Sequence, residues 1–144
     1  VKILMLILPL FLLGAQCSKC DLNKMQMRCE YYVGLKGDMS KTSYCESYAD
    51  YLDETKVYGK ASWYHLLAKN PEKAIQSAKK ALKFGEEYAK EYMAIGYMVT
   101  GDKKKAKELF GSISPNPIVD KDFETVKRIY NDFNIEEAKS FLKK

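Results

Sequence analysis

Residues 101–106 read "GDKKKA", and three other stretches fall into step with them: "GDMSKT" at 37–42, "KNPEKA" at 69–74 and "FNIEEA" at 133–138. Asp38, Asn70, Asp102 and Asn134 recur with a constant period of 32, and Thr42, Ala74, Ala106 and Ala138 follow them in the same register. Asp and Asn are strong helix N-caps because their side-chain oxygens accept backbone N–H groups that the first turn leaves unpaired. Pro71 after Asn70 suits the first helical position, and Glu137 after Asn134 is close to a capping box. Each of the four positions therefore predicts the start of a helix, with another helix ending just before it.

The apolar rows have helical spacing. The helices that follow the caps carry Ala74, Ala78, Ala81 and Leu82, then Ala106, Leu109 and Phe110, then Ala138, Phe141 and Leu142. The helices that precede them carry Tyr92, Ile95 and Val99, and later Phe123, Val126, Ile129, Tyr130 and Phe133. This predicts eight helices in four antiparallel pairs: 22–35/40–53, 57–69/71–84, 86–100/103–111 and 120–132/135–143. "GSISPNP", residues 111–117, reads as a loop, and no stretch alternates like a strand. The expected fold is all-α, a short right-handed solenoid of stacked pairs.

"WYHLLAKNPEKAIQSAKKAL" (63–82) and "YMAIGYMVTGDKKKAKELF" (92–110) resemble the tetratricopeptide repeat family. Tyr92 with Gly96 is similar to that family's aromatic and glycine in the first helix of a pair. Gly101-Asp102 followed by Ala106 and Phe110 is similar to its turn and second-helix packing row. The resemblance spans residues 57–111, and the period is tighter than the family's roughly 34 residues. It implies a concave groove, lined by the first helices of the pairs, that holds a protein or peptide segment. Tyr31, Tyr32, Trp63, Tyr64 and Tyr97 lie on those helices and are the candidate partner-binding residues, because aromatics anchor interfaces. Helical aromatics also fill cores, so each of the five has a packing reading as well.

The segment 1–15 differs from the rest. Lys2 precedes the apolar run Ile3–Leu13, which ends in Gly14-Ala15. That run is short of the roughly 20 residues a membrane span needs but fits the core of a secretory signal cut after Ala15. Pro9 within it argues against a buried helix. The reading is a signal peptide over 1–15, a helical-repeat domain over 16–144, and export, most naturally to a bacterial periplasm, with no membrane span once the signal is cut. The chain has 144 residues with 47% apolar and 30% charged, which suits one folded domain. Its net charge of +5 is too dispersed for a nucleic-acid surface. Lys103–Lys105 beside Gly101 lack the spacing of a phosphate-binding loop and read as a solvated face.

Cys17, Cys20, Cys29 and Cys45 all fall in the first third. Four cysteines in an exported chain suggest two disulfides. Cys29 and Cys45 lie equally far from Gly37 on either side, so in an antiparallel pair both stand about 12 Å from the turn at 1.5 Å rise per residue. A bridge there closes a loop of about 15 residues and adds roughly 3 kcal/mol. Cys17 and Cys20 then remain as a short closed loop or an active thiol pair. Asp21 stands where a c-type haem needs His, no βαβ context surrounds the pair, and no second C-x-x-C completes a zinc site. Met25 and Met27 bring soft ligands for copper(I) nearby, though at helical spacing they read better as core. Gln16 fits a lipid anchor at Cys17 poorly.

His65 is the only histidine and is expected to pack beside Trp63. No paired acids stand out, and no catalytic set, metal site or cofactor is expected. The sequence thus points to an exported, disulfide-stapled interaction module, a scaffold or assembly factor. The rival is a periplasmic thiol protein, redox-active or copper-binding, that uses Cys17 and Cys20.

Overall fold

The computed structural model describes residues 19–144, with side chains from Asp21 onward. The signal segment 1–15, Cys17 and the side chain of Cys20 lie outside the described residues, and so do their expected roles. All regular structure among the described residues is helical. The α-helices are α1 (Lys19–Arg28), α2 (Thr42–Glu54), α3 (Tyr58–Leu67), α4 (Pro71–Lys83), α5 (Ala89–Val99), α6 (Lys103–Phe110), α7 (Pro117–Ile129) and α8 (Ile135–Phe141). A π-helical segment, Cys29–Leu35, continues α1 directly, and one 3-10 turn, Met39–Lys41, leads into α2.

Asp38, Asn70, Asp102 and Asn134 all cap. Their side chains accept from the backbone N–H groups of Ser40, Lys73, Lys105 and Glu137 respectively. The residue before each of the first three caps is left-handed: Gly37, Lys69 and Gly101 have φ of 67°, 60° and 92°. This reverses the chain and lets the cap residue's own N–H reach back to the preceding helix. Asn70 reaches the carbonyl of His65 and Asp102 that of Tyr97. Asp38 reaches Tyr32, one position further back, because the π-helical segment has added a residue to its final turn. That segment is a departure from the α-helix expected through residue 35.

The seventh helix also departs from expectation. It begins at Pro117 rather than 120, because the Asn116 side chain accepts from the N–H groups of Ile118 and Val119, and Pro117 takes the first helical position. It ends at Ile129, and Tyr130 is already extended. Helix α5 starts at Ala89 rather than 86, with residues 86–88 outside it.

Helices α2 to α6 pack each on the next, and α3 also lies against α5. Cys29 and Cys45 are joined in a disulfide that ties the π-helical segment to α2, and both are fully buried. Helix α7 then returns over the array to pack on the π-helical segment and on α3. Arg128 Nε donates to the Gly34 carbonyl at 3.0 Å, and the Tyr130 hydroxyl donates to the Leu66 carbonyl at 2.9 Å. Phe123 of α7 meets Phe110 of α6 edge-on at 5.5 Å. One core collects Leu66 of α3, Ile95 of α5, Phe110 of α6, and Val119, Phe123 and Val126 of α7. The face shared by the first helix, α3 and α5 is therefore covered by α7.

Candidate functional site

What remains open of that face is a cleft of about 360 Å³ between the π-helical segment, α3 and α7. Trp63 and Leu67 come from α3, Leu35 from the π-helical segment, and Lys121, Asp122 and Arg128 from α7. Glu30 stands at its first-helix wall. Helical geometry accounts for the α7 contribution: residues 121, 125 and 128 recur on one face, so Thr125 lies between the two basic groups and accepts from Arg128 Nη2 at 3.0 Å. The cleft thus has an apolar floor with both charge signs at its rim.

Glu30 is held in place from two sides. Its Oε1 accepts from the Tyr64 hydroxyl and, at 3.1 Å, from Gln26 Nε2. Gln26 in turn accepts from the Tyr48 hydroxyl at 3.0 Å, and Lys60 Nζ donates to that hydroxyl at 3.1 Å. Burial, reinforced by the Glu30 carboxylate, raises the Tyr64 phenol well above its ordinary pKa, so it stays a donor at any physiological pH.

Behind the cleft, Asp122 adjoins Glu91 of α5. Burial first, and then the neighbouring Asp122 charge, push the Glu91 carboxyl up, while burial raises Asp122. One Glu91 oxygen is buried without a hydrogen-bond partner. The two acids stand far apart in the chain, on different helices, and nothing local in the sequence marks them as a pair. The same holds for Glu30, one of many helical glutamates, which the disulfide-linked first pair brings beside Trp63.

The five expected partner-binding aromatics separate. Trp63 is half-buried, lies tilted against the Tyr92 ring at 5.3 Å and lines the cleft. Tyr64 is only 2% exposed and packs edge-on against Tyr48 at 4.6 Å, so no partner can reach it. Tyr31 and Tyr32 are exposed and make up part of a separate surface with Tyr44. Tyr97 is half-buried on another side, with Lys79 at 5.9 Å and Lys105 at 5.0 Å from its ring.

His65 is fully buried, with Nε2 2.7 Å from Asp53 Oδ2. The Ser77 hydroxyl donates to that same carboxylate at 2.7 Å, so the carboxylate stands between the other two groups. A serine nucleophile needs its hydroxyl on the imidazole, so this set ties α2, α3 and α4 together rather than arming Ser77. Among the described residues, no three His, Cys, Asp or Glu side chains gather as metal ligands, and no helix is long and apolar enough to cross a membrane. Comparison with protein-family models, curated proteins and solved structures finds no match.

Proposed function

We propose that the protein is an exported, tetratricopeptide-like helical-repeat module that binds a protein or peptide segment as a scaffold or assembly factor. The observation that carries this reading is the cleft: an apolar floor built on the protein's one tryptophan, Trp63, with Glu30 and Asp122 opposing Lys121 and Arg128 at the rim. A few convergent polar groups around an apolar floor is the usual make-up of a binding site. The solenoid reading draws support from the stepwise packing of α2 to α6 and from capped left-handed turns at 37–38, 69–70 and 101–102. In that reading α7 is a terminal element folded onto the groove, and the partner uses the part it leaves open. Export, most naturally to a periplasm, is supported by the Cys29–Cys45 disulfide, which persists in oxidising compartments.

Trp63 supplies its own assay. A peptide entering the cleft shifts and saturates the tryptophan emission, and Glu30→Gln or Lys121→Glu weakens the response without unfolding the chain. A partner isolated from the native compartment that binds Trp63→Ala, Glu30→Gln and the native chain equally well overturns the assignment of this cleft.

A further inference from the structure

We infer that the outer face of the first helix is a second docking surface, and that it takes an acidic protein segment: carboxylates flanking an apolar or aromatic side chain. The inference rests on the reading of the chain as an interaction module but concerns a surface that meets the Trp63 cleft only at Leu35. Met27 and Tyr31 stand at i, i+4 spacing along that face and are 67% and 50% exposed, and Leu35, 60% exposed, ends the row where it meets the Trp63 cleft. A folded helix ordinarily buries such a row, and among the described residues nothing covers this one.

The aromatic part is organised. Tyr31 meets Tyr32 edge-on at 5.1 Å, and Tyr32 stacks with Tyr44 of α2 at 6.4 Å. Arg28 lies over the Tyr44 ring at 5.3 Å and Lys36 over Tyr31 at 5.6 Å. Cations laid on ring faces are held in position with part of their hydration already removed, which lowers the cost of meeting a carboxylate. Tyr, Arg and Met are also the side chains enriched at interface centres.

Charge and shape choose the occupant. Lys24, Arg28 and Lys36 give the face a positive sign, and among the described residues Asp21 is the single acid lining either of its two grooves. A second copy would set these cations against their equals, which disfavours self-association. The grooves, about 220 Å³ beside Tyr31 and about 300 Å³ between the first helix and α2, are depressions that admit side chains.

The test uses the full disulfide-bonded chain, amide NMR and two synthetic amphipathic peptides with the same apolar positions, one flanked by Glu and one by Lys. Phosphatidylglycerol vesicles make up a third arm. The Glu peptide is expected to shift Met27, Tyr31, Tyr32 and Tyr44 saturably, and more weakly as salt is raised. Arg28→Glu should weaken it roughly tenfold or more. Tyr31→Ala does the same without a charge change, and Trp63→Ala leaves it unaltered. Equal binding of the Lys peptide, shifts confined to the Trp63 cleft, no peptide binding, or a response to vesicles alone each overturns the inference. Loss with Trp63→Ala but not with Arg28→Glu sinks this surface while leaving the cleft reading intact.

Discussion

Replacing Gly96 with alanine sets two effects of opposite sign against each other, and the structure decides which prevails. Gly96 is buried in α5, where an alanine would ordinarily gain about 1 kcal/mol of helix propensity. A Cβ built there, however, falls 2.7 Å from Ile75 Cγ1, 3.3 Å from Ile75 Cδ1 and 3.4 Å from the Pro71 carbonyl. Ile75 cannot turn away, because its Cγ1 is one bond from the stem and a β-branched side chain in a helix is confined to one χ1 well. Relief therefore requires α4 and α5 to move apart by about 0.7 Å, the difference between 2.7 Å and the 3.4 Å at which ordinary contact begins. A gap of that size forfeits roughly a quarter to a half of the dispersion energy of the contacts it opens. Overpacking of this kind costs about 1–3 kcal/mol.

The net expectation for Gly96→Ala is a loss of up to about 2 kcal/mol, or up to roughly 6 °C in Tm for a domain of this size. Urea unfolding of the oxidised protein, followed by far-UV circular dichroism, measures it. Ile75→Ala alone should cost about 2–5 kcal/mol, but less in the Gly96→Ala background, with a coupling of at least about 1 kcal/mol. Gly59→Ala is the control: its Cβ meets only the tips of Tyr88 and Glu86, which can swing aside, so it stays within about 1 kcal/mol of the native chain. A raised urea midpoint in Gly96→Ala, or additive behaviour with Ile75→Ala, would show that the Gly96–Ile75 contact does not set the spacing of α4 and α5.

Replacing both Cys29 and Cys45 with alanine should lower stability by about 3 kcal/mol, since the bridge closes a separation of 16 residues; a loss under about 1 kcal/mol by urea titration would place the constraint elsewhere. The Glu91 and Asp122 carboxyls are raised on folding, so the folded chain holds their protons longer than the unfolded chain. Their pairing therefore favours folding most below the ordinary carboxyl values of 4.5 and 3.8, and stability is lost as pH rises through that range toward the raised folded values. Glu91→Gln should flatten that decline, raising Tm more at pH 8 than at pH 4; a Tm difference that is the same at both would count against the acid pair.

The local features of the fold are legible in the sequence because each is fixed by a few neighbouring residues. The four evenly spaced caps can be read from a side chain and the N–H two or three positions on. Asn116-Pro117 carries the same signature as Asn70-Pro71, so the earlier start of α7 was equally written, in a stretch whose Gly and Ser content reads as loop. The π-helical segment is another matter. Its extra residue per turn is compatible with Cys29 being tied to Cys45 and the Gly34 carbonyl being turned to Arg128, a residue 94 positions away. Local propensity carries no record of such partners. The same limit hides Glu91 beside Asp122 and Glu30 beside Trp63.

The path of α7 has the largest functional consequence, and it too depends on distant contacts. Val119, Phe123, Val126 and Ile129 are all buried, and three of them enter the core that α3, α5 and α6 share. At about 1.5–3 kcal/mol for each buried side chain, lifting α7 away would cost about 6–12 kcal/mol before a ligand made a single contact. A micromolar complex is worth about 8 kcal/mol in total. A peptide competing for the groove under α7 would thus spend an entire ordinary affinity on displacing it. If the chain binds partners as proposed, they are expected on what α7 leaves open: the Trp63 cleft along its edge and the tyrosine face of the first helix beyond it. Both border the helix pair tied by the Cys29–Cys45 disulfide, where backbone held by a covalent tie gives up less entropy when a ligand binds.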